Sequence, residues 1–186
     1  RILNGNHNLD FTAFVISPLY PYSLALFKWL CGDGWLSGVT IFQFLLISFS
    51  TVFLAKIALI LFDKKVAILS GIIYILYPFT LYYNFTFTQE TTFQAYFIIA
   101  IYFLLKYLKQ SSLNGLIISA IFFSLSFLTK SHVLLYAPFI AMLIIFFNDI
   151  RKRFSTKFKD LVLYGFICLF LTIPGGLINL KYHNIY

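Results

Sequence analysis

The side chains best suited to chemistry lie in a short polar stretch, Asn84 to Thr92, which separates two long apolar runs. Its one carboxylate, Glu90, stands among hydroxyl and amide side chains at the start of the second run. A carboxylate in the first turn of a helix can stabilise the unpaired N–H groups there, with Thr86 or Thr88 as the N-cap residue. Alternatively, it can face a water-filled cavity and bind a sugar hydroxyl, a divalent metal ion or a catalytic partner, because ionisable groups at membrane depth are commonly functional. The sequence leaves both interpretations of Glu90 open.

A second candidate group is Lys130, which ends another apolar run and is followed closely by His132. A lysine at the end of a membrane span can simply extend its ammonium group to the interface. It can also place a positive charge where a lipid-linked phosphate needs neutralising. His132 has no second histidine three or four residues away, so it does not form a helical metal-binding pair. Walker A, GxSxG and HExxH motifs are absent from the sequence, so nucleotide chemistry of the soluble-enzyme kind has no support.

The composition indicates an integral membrane protein. Of 186 residues, 61% are hydrophobic and 11% are charged, and the mean hydropathy is +0.89. The apolar residues come in blocks of about twenty, the length with which a helix crosses a bilayer, and helices satisfy their own backbone groups in lipid. The net charge of +8 does not indicate nucleic-acid binding, because the basic residues lie between the apolar blocks. Membrane lipids are the expected surroundings.

The elements that position these groups are therefore predicted to be helices, in an all-α, polytopic transmembrane bundle. Residues 18–31 are too short to span and carry Pro18 and aromatic residues, which favours an outer interfacial helix. We treat residues 1–186 as a single transmembrane domain truncated at both ends, with an outer loop and interfacial helix in 1–34 and six spans in 35–180. The six predicted spans cover residues 35–62, 66–85, 91–108, 113–128, 133–147 and 161–180.

The distribution of Lys and Arg predicts the orientation, because positively charged connections stay in the cytoplasm. One set of connections carries nine such residues: Lys64, Lys65, Lys106, Lys109, Arg151, Lys152, Arg153, Lys157 and Lys159. The alternate set carries four: Arg1, Lys28, Lys130 and Lys181. We therefore expect a multi-pass protein of the plasma (inner) membrane whose Glu90 stretch and Lys130 both face the extracytoplasmic side. Tyr20 and Tyr83 lie on that side too, where tyrosines form an aromatic belt or, less often, a sugar-stacking platform.

Several motifs in order resemble a known family. Residues 17–27 (SPLYPYSLALF), the Leu76-Tyr77-Pro78 segment, the Thr88-Gln89-Glu90 loop and the Phe127-Leu128-Thr129-Lys130 segment are each similar to segments of bacterial membrane glycosyltransferases of the GT-C class. Within that class the chain resembles the dolichyl-phosphate-mannose-protein mannosyltransferase-like group. The resemblance runs across nearly all of the chain.

The resemblance implies an inverting glycosyltransferase. In that family a sugar passes from a polyprenyl-phosphate donor to a glycan, lipid or protein acceptor on the outer membrane face, and an acidic residue of the first outer loop deprotonates the acceptor. That residue is expected upstream of Arg1, with Asp10 as a substitute candidate, so the chain by itself is expected to be inactive. Glu90 would support catalysis or bind a divalent metal ion, and Lys130 would approach the donor phosphate. The remaining predicted substrate-binding residues are His132, Gln89, Tyr83 and Tyr20.

Non-enzymatic functions compete with this prediction. A transporter or a polyprenyl-lipid flippase would also be a polytopic helical protein. A transporter predicts ionisable groups near mid-span in matched halves, and no internal repeat is visible in this sequence. A structural membrane scaffold predicts no effect from replacing Glu90 or Lys130.

Overall fold

The computed structural model describes residues 18–146 and 154–183. Every regular element in these residues is helical, so the all-α class is confirmed. Short 3₁₀ turns occupy Gly32–Gly34 and Ser131–Tyr136. The helices are α1 Leu19–Cys31, α2 Trp35–Leu61, α3 Lys64–Leu76, α4 Pro78–Phe85, α5 Gln89–Gln110, α6 Leu113–Thr129, α7 Ala137–Phe146 and α8 Phe154–His183.

The helices begin and end at residues with an identifiable physical role. Asp63 caps α3, and its carboxylate accepts a hydrogen bond from the Val66 N–H at 2.8 Å. Ser111 ends α5 in the left-handed conformation, with its N–H donating to the Tyr107 carbonyl at 2.7 Å. Pro78 begins α4 after an extended Tyr77, because a residue that precedes proline avoids the helical conformation. The predicted span 66–85 is therefore two helices, bent by 46° at this break.

Helix α1 folds back along α2. Gly32, with φ at +54°, ends α1, and the chain reverses through the 3₁₀ turn. The Phe27 and Phe42 rings then lie 5.2 Å apart, and the Tyr20 hydroxyl lies 3.4 Å from the Gln43 amide nitrogen. A coaxial α1–α2 rod would hold residues 20 and 43 roughly 35 Å apart, so the contacts require a hairpin. The hairpin buries Tyr20 against α2.

The core lies where α5, α6 and α8 pack together. Ala100, Leu104 and Ala120 are buried there with Leu116 and Tyr164. Small residues allow close helix approach. A Cβ at Gly115 would lie 3.2 Å from the Phe103 carbonyl oxygen and 3.3 Å from the Tyr107 nitrogen, so this site accepts only glycine without a shift of the backbone.

Large apolar side chains cover the outside of the helices. Ile41, Phe49, Leu69 and Phe166 are each exposed over more than half of their surface. So extensive an apolar exterior indicates contact with lipid, and the protein is a membrane protein.

The predicted number of six spans is not confirmed. In residues 18–146 and 154–183, two helical stretches are long and apolar enough to cross a membrane, Leu19–Leu61 and Gln89–Gln110. The first contains the reversal at Gly32, so α2 provides its crossing part. Helices α3 and α4 make a third if the bent pair acts as one span. The stretches Leu113–Thr129 and Ser131–Phe146 are apolar but shorter, and 17 residues of helix reach only about 25 Å.

Candidate functional site

Two opposite ends of the bundle carry buried polar groups. We call the end where α5 begins and α6 finishes the Glu90 end. The other end, where α5 finishes and α8 begins, is the Asp160 end. The residues that sequence patterns single out lie at the Glu90 end.

An ion pair joins the start of α5 to the end of α6. Glu90 lies in the first turn of α5, where a helix has unpaired N–H groups and favours an anion. Thr88 occupies the N-cap position, but its side chain makes no capping bond. Lys130 follows α6 in an extended conformation, and its ammonium group donates a hydrogen bond to Glu90 Oε2. The side chains of Lys130 and Glu90 are 21% and 24% exposed, so the pair is reachable and partly desolvated.

Aromatic rings flank the ion pair. The Lys130 nitrogen lies 5.7 Å from the centroid of the Phe93 ring, within the range of a cation–π interaction. The His132 ring meets Phe93 edge-on, with 5.7 Å between the ring centroids. The predicted residues Glu90, Lys130 and His132 are therefore brought together around one phenylalanine.

Gln43, which sequence reasoning missed, connects α1, α2 and α5 at this end. Its side chain is fully buried, and its amide nitrogen donates to the Thr88 carbonyl at 3.3 Å and to the Tyr20 hydroxyl at 3.4 Å. The predicted residue Tyr20 is thereby linked to the start of α5. The sequence does contain a signal for Gln43, namely an amide side chain within a long apolar run. An unpaired amide is costly in lipid, so such a residue is expected to have a partner.

Unpaired polar atoms gather at the Glu90 end. Among the residues that the structure describes, every buried side-chain nitrogen or oxygen without a hydrogen-bond partner belongs to α2, α4, α5 or α6 near this end. Leaving such a group unpaired costs about 1–3 kcal/mol. We call these side chains the unpaired polar cluster: Gln43, Asn84, Gln89, Thr91 and Ser126.

Hydrogen bonds bring the segments that carry the cluster close to the ion pair. Gln43 contacts the Thr88 carbonyl, which is adjacent in the chain to Gln89. The Thr88 hydroxyl donates to the Tyr83 carbonyl at 3.4 Å, next to Asn84. Ser126 accepts the Lys130 N–H on its carbonyl at 2.9 Å.

The Asp160 end differs because its buried polar groups are paired. The Tyr107 hydroxyl donates to Asp160 Oδ2 at 2.5 Å, and both side chains are buried. The Ser119 hydroxyl donates to the Ala100 carbonyl at 2.9 Å and lies 3.4 Å from the Tyr164 hydroxyl. Sequence reasoning treated Asp160 as part of a charged connector, whereas here it joins α8 to α5.

Two other predicted site residues have a different placement. Tyr83 packs its ring against Tyr82 and Phe79, at centroid distances of 5.5 and 6.5 Å, and it meets the site through its backbone carbonyl. Asp10 lies outside the described residues. The roles predicted for both remain predictions.

A divalent metal ion does not fit the donor set at Glu90. Within 18–146 and 154–183 there is no group of three or more His, Cys, Asp or Glu side chains that could hold a metal. The Glu90 carboxylate is already engaged by the Lys130 ammonium. Divalent ions of the Mg²⁺ and Ca²⁺ type take several oxygen ligands, so we derive no step through a metal.

Comparison with protein families identifies a match over most of the chain. The family described as dolichyl-phosphate-mannose-protein mannosyltransferase matches residues 16–177, which is well over half of the chain. No curated protein and no solved structure matches it.

Proposed function

This chain belongs to the dolichyl-phosphate-mannose-protein mannosyltransferase family of GT-C membrane glycosyltransferases, and from that premise we propose that its Glu90 end holds a polyprenyl-phosphate sugar donor. The observation that carries the proposal is the Glu90–Lys130 ion pair, which places a cation among buried polar groups at the end of the bundle. A donor of this kind has an apolar tail, a phosphate and a sugar. The apolar helix surfaces suit the tail, Lys130 suits the phosphate, and the unpaired polar cluster suits the sugar.

Lys130 is the group proposed to meet the donor phosphate. As the sugar leaves, the electron pair of the breaking C–O bond stays on the phosphate oxygen, and negative charge grows there. A positioned cation in a partly desolvated site stabilises such charge more than it stabilises the bound donor. With its side chain 21% exposed, Lys130 is reachable by a lipid headgroup and is partly shielded from water.

Glu90 is proposed as a positioning residue for Lys130. Its carboxylate oxygen accepts the bond from the Lys130 ammonium, and the start of α5 holds the carboxylate in turn. The long lysine side chain therefore has one favoured position before the donor arrives. Pre-organisation of this kind lowers the cost of assembling the transition state.

The transfer itself is proposed to be a single displacement with inversion. An acceptor hydroxyl forms a bond to the anomeric carbon from the face opposite the phosphate, while the bond to the phosphate oxygen breaks. A carboxylate base takes the acceptor proton. Asp10 or an acidic residue upstream of Arg1 is the candidate base. The acceptor is a glycan, a lipid or a protein.

The proposed location of this reaction is the extracytoplasmic face of the plasma membrane. It is supported by the excess of Lys and Arg in the connections at the other side of the predicted spans. Labelling of Thr88→Cys from outside intact cells, with Ser155→Cys labelled only after permeabilisation, tests the orientation. The reverse pattern overturns it.

Transfer from a panel of polyprenyl-phosphate sugars, measured with the full-length protein in proteoliposomes, tests the function. Lys130→Ala is expected to lower the transfer rate by roughly 10²–10³-fold, the scale of losing one group that stabilises developing charge. Lys109→Ala is the matched control, because Lys109 contacts the Ile60 carbonyl near the Asp160 end. Equal rates in the wild type and Lys130→Ala, or lipid movement across the membrane without transfer, contradict the proposal.

A further inference from the structure

We propose that the unpaired polar cluster is the subsite for the sugar ring of the donor, an uncharged and hydroxyl-rich group. This inference rests on the proposed function, because it places the ring next to a phosphate at Lys130. It adds residues to which sequence reasoning assigned no part in binding, above all Gln43 and Asn84.

Most side chains of the unpaired polar cluster are buried. Gln43, Asn84 and Ser126 are fully buried, and Thr91 is 2% exposed. In the part of the chain that the structure describes, Asn84 has no hydrogen-bond partner for either its amide nitrogen or its amide oxygen. Native proteins pair nearly all of their buried polar atoms. A concentration of unpaired atoms in one place therefore indicates groups that a bound molecule pairs.

The chemistry of the cluster selects the class of ligand. Its members are amides and hydroxyls, which both donate and accept hydrogen bonds and carry no charge. A sugar ring presents hydroxyls that also donate and accept, so the two sets pair without leaving a charge unbalanced. A phosphate or carboxylate would gain more from a cation, and here the nearby cation is Lys130. A hydrocarbon group would leave Asn84 unpaired.

The position of the cluster favours the donor sugar over the acceptor. Glu90, the ion-pair partner of Lys130, lies between Gln89 and Thr91 in the first turn of α5, and Ser126 precedes Lys130 by about one helical turn. A ring bonded to a phosphate at Lys130 would thus lie within reach of the cluster. Fully buried side chains can surround one ring, whereas a polymeric acceptor needs an open groove.

The turn Thr86–Thr88 connects α4, which carries Asn84, to the first turn of α5, which carries Gln89 and Thr91. Its Thr88 carbonyl is held by Gln43, and Phe87 within it has a φ of +48°. For a residue with a side chain this left-handed conformation is unfavourable. We therefore expect this turn to adjust more easily than the helices beside it when a ring binds.

Binding of lipids to the full-length protein in nanodiscs tests the inference. The probes are bare polyprenyl phosphate and the same lipid carrying mannose, glucose, galactose or arabinose. In the wild type, at least one sugar-bearing lipid is expected to bind about tenfold or more tightly than the bare phosphate. Asn84→Leu is expected to abolish this difference in affinity and to leave the affinity for the bare phosphate unchanged. Asn114→Leu, an exposed site on α6 at the opposite end, leaves both unchanged.

A second readout separates ligand binding from a structural role. Because Asn84 has no hydrogen-bond partner among residues 18–146 and 154–183, Asn84→Leu is expected to keep or raise the melting temperature without lipid. A structural amide would give a lower melting temperature after the same substitution, and that result overturns the inference. Thr91→Val provides an independent comparison at a hydroxyl that no described residue pairs.

The outcomes distinguish this inference from the proposed function. The sugar subsite alone is overturned by either of two results. One is that Asn84→Leu and Thr91→Val still bind a sugar-bearing lipid more tightly than the bare phosphate. The other is that the wild type binds no sugar-bearing lipid more tightly than the bare phosphate. Affinity for the bare phosphate that does not fall in Lys130→Ala overturns the proposed function instead.

Discussion

At the Asp160 end, Tyr107 donates its hydroxyl hydrogen to Asp160 and Ser119 donates to a helix carbonyl. At the Glu90 end, by contrast, none of the described residues pairs with either amide atom of Asn84. Both regions are buried, and both join α5 to its neighbours. At the Asp160 end the polar groups satisfy one another and hold α8 against α5. At the Glu90 end they satisfy one another only in part, which leaves hydrogen-bonding capacity for a bound molecule.

The difference has an energetic meaning. Each buried polar atom without a partner costs about 1–3 kcal/mol, a large amount against a typical stability of 5–15 kcal/mol. Functional sites are where proteins keep such costs, because stability and activity compete there. We therefore interpret the Asp160 end as structural and the Glu90 end as the ligand site.

Glu90→Gln is expected to give the largest of the effects that sharpen this comparison. Losing the partner of Lys130 lets its ammonium group leave the donor phosphate, and transfer falls by about tenfold to a hundredfold. Glu90→Asp restores part of the rate, and the melting temperature changes little because the pair is partly exposed. Kinetic analysis of both variants checks this.

Asp160→Asn provides the contrast for Glu90→Gln, as the loss of a carboxylate at the other end. It is expected to lower stability and to leave the rate per folded molecule within about twofold. A large loss of rate per folded molecule in Asp160→Asn would break the assignment of separate roles.

Tyr107→Phe is expected to destabilise the protein by about 1–3 kcal/mol, because it leaves the buried Asp160 carboxylate without the tyrosine hydroxyl. The free energy of unfolding in mixed micelles measures the effect. The rate of sugar transfer per folded molecule should stay at its wild-type value. A variant as stable as the wild type would show that the pairing at the Asp160 end does not hold α8 in place.

Replacing one serine by alanine at each end is expected to give the smallest effects on stability, and the two variants are closely matched. Ser119→Ala removes a hydrogen bond to the Ala100 carbonyl and is expected to cost about 1 kcal/mol of stability. Ser126→Ala removes a hydroxyl that has no partner and is expected to be neutral or slightly stabilising. Unfolding measurements on the pair check this, and equal losses would remove the distinction between the two ends.

Sequence patterns predict the fold class and part of the site. The all-α class follows from apolar blocks of helical length, and Glu90 and Lys130 were expected on the same side before the structure showed their contact. Residue pairs forty positions apart meet only through helix packing, so the ion pair itself could not be read from spacing. Gln43 and Ser126 were missed because each lies inside an apolar run.

Element boundaries were harder to predict for a related reason. Helix α8 begins at Phe154, seven residues before the predicted span, because Asp160 finds a buried partner in Tyr107. A charged stretch was interpreted as a connector, although tertiary pairing lets it continue as helix. The 3₁₀ turn Ser131–Tyr136 likewise replaces the start of the predicted span 133–147.

Photo-crosslinking tests the central claim most directly. A polyprenyl-phosphate sugar with a photoreactive group next to the phosphate is bound to the full-length protein, irradiated and mapped by mass spectrometry. The account predicts labelling of peptides that contain the start of α5 and the Lys130 segment, with loss of that labelling in Lys130→Ala. Labelling at the start of α8, near Asp160, that is unchanged in Lys130→Ala would contradict it.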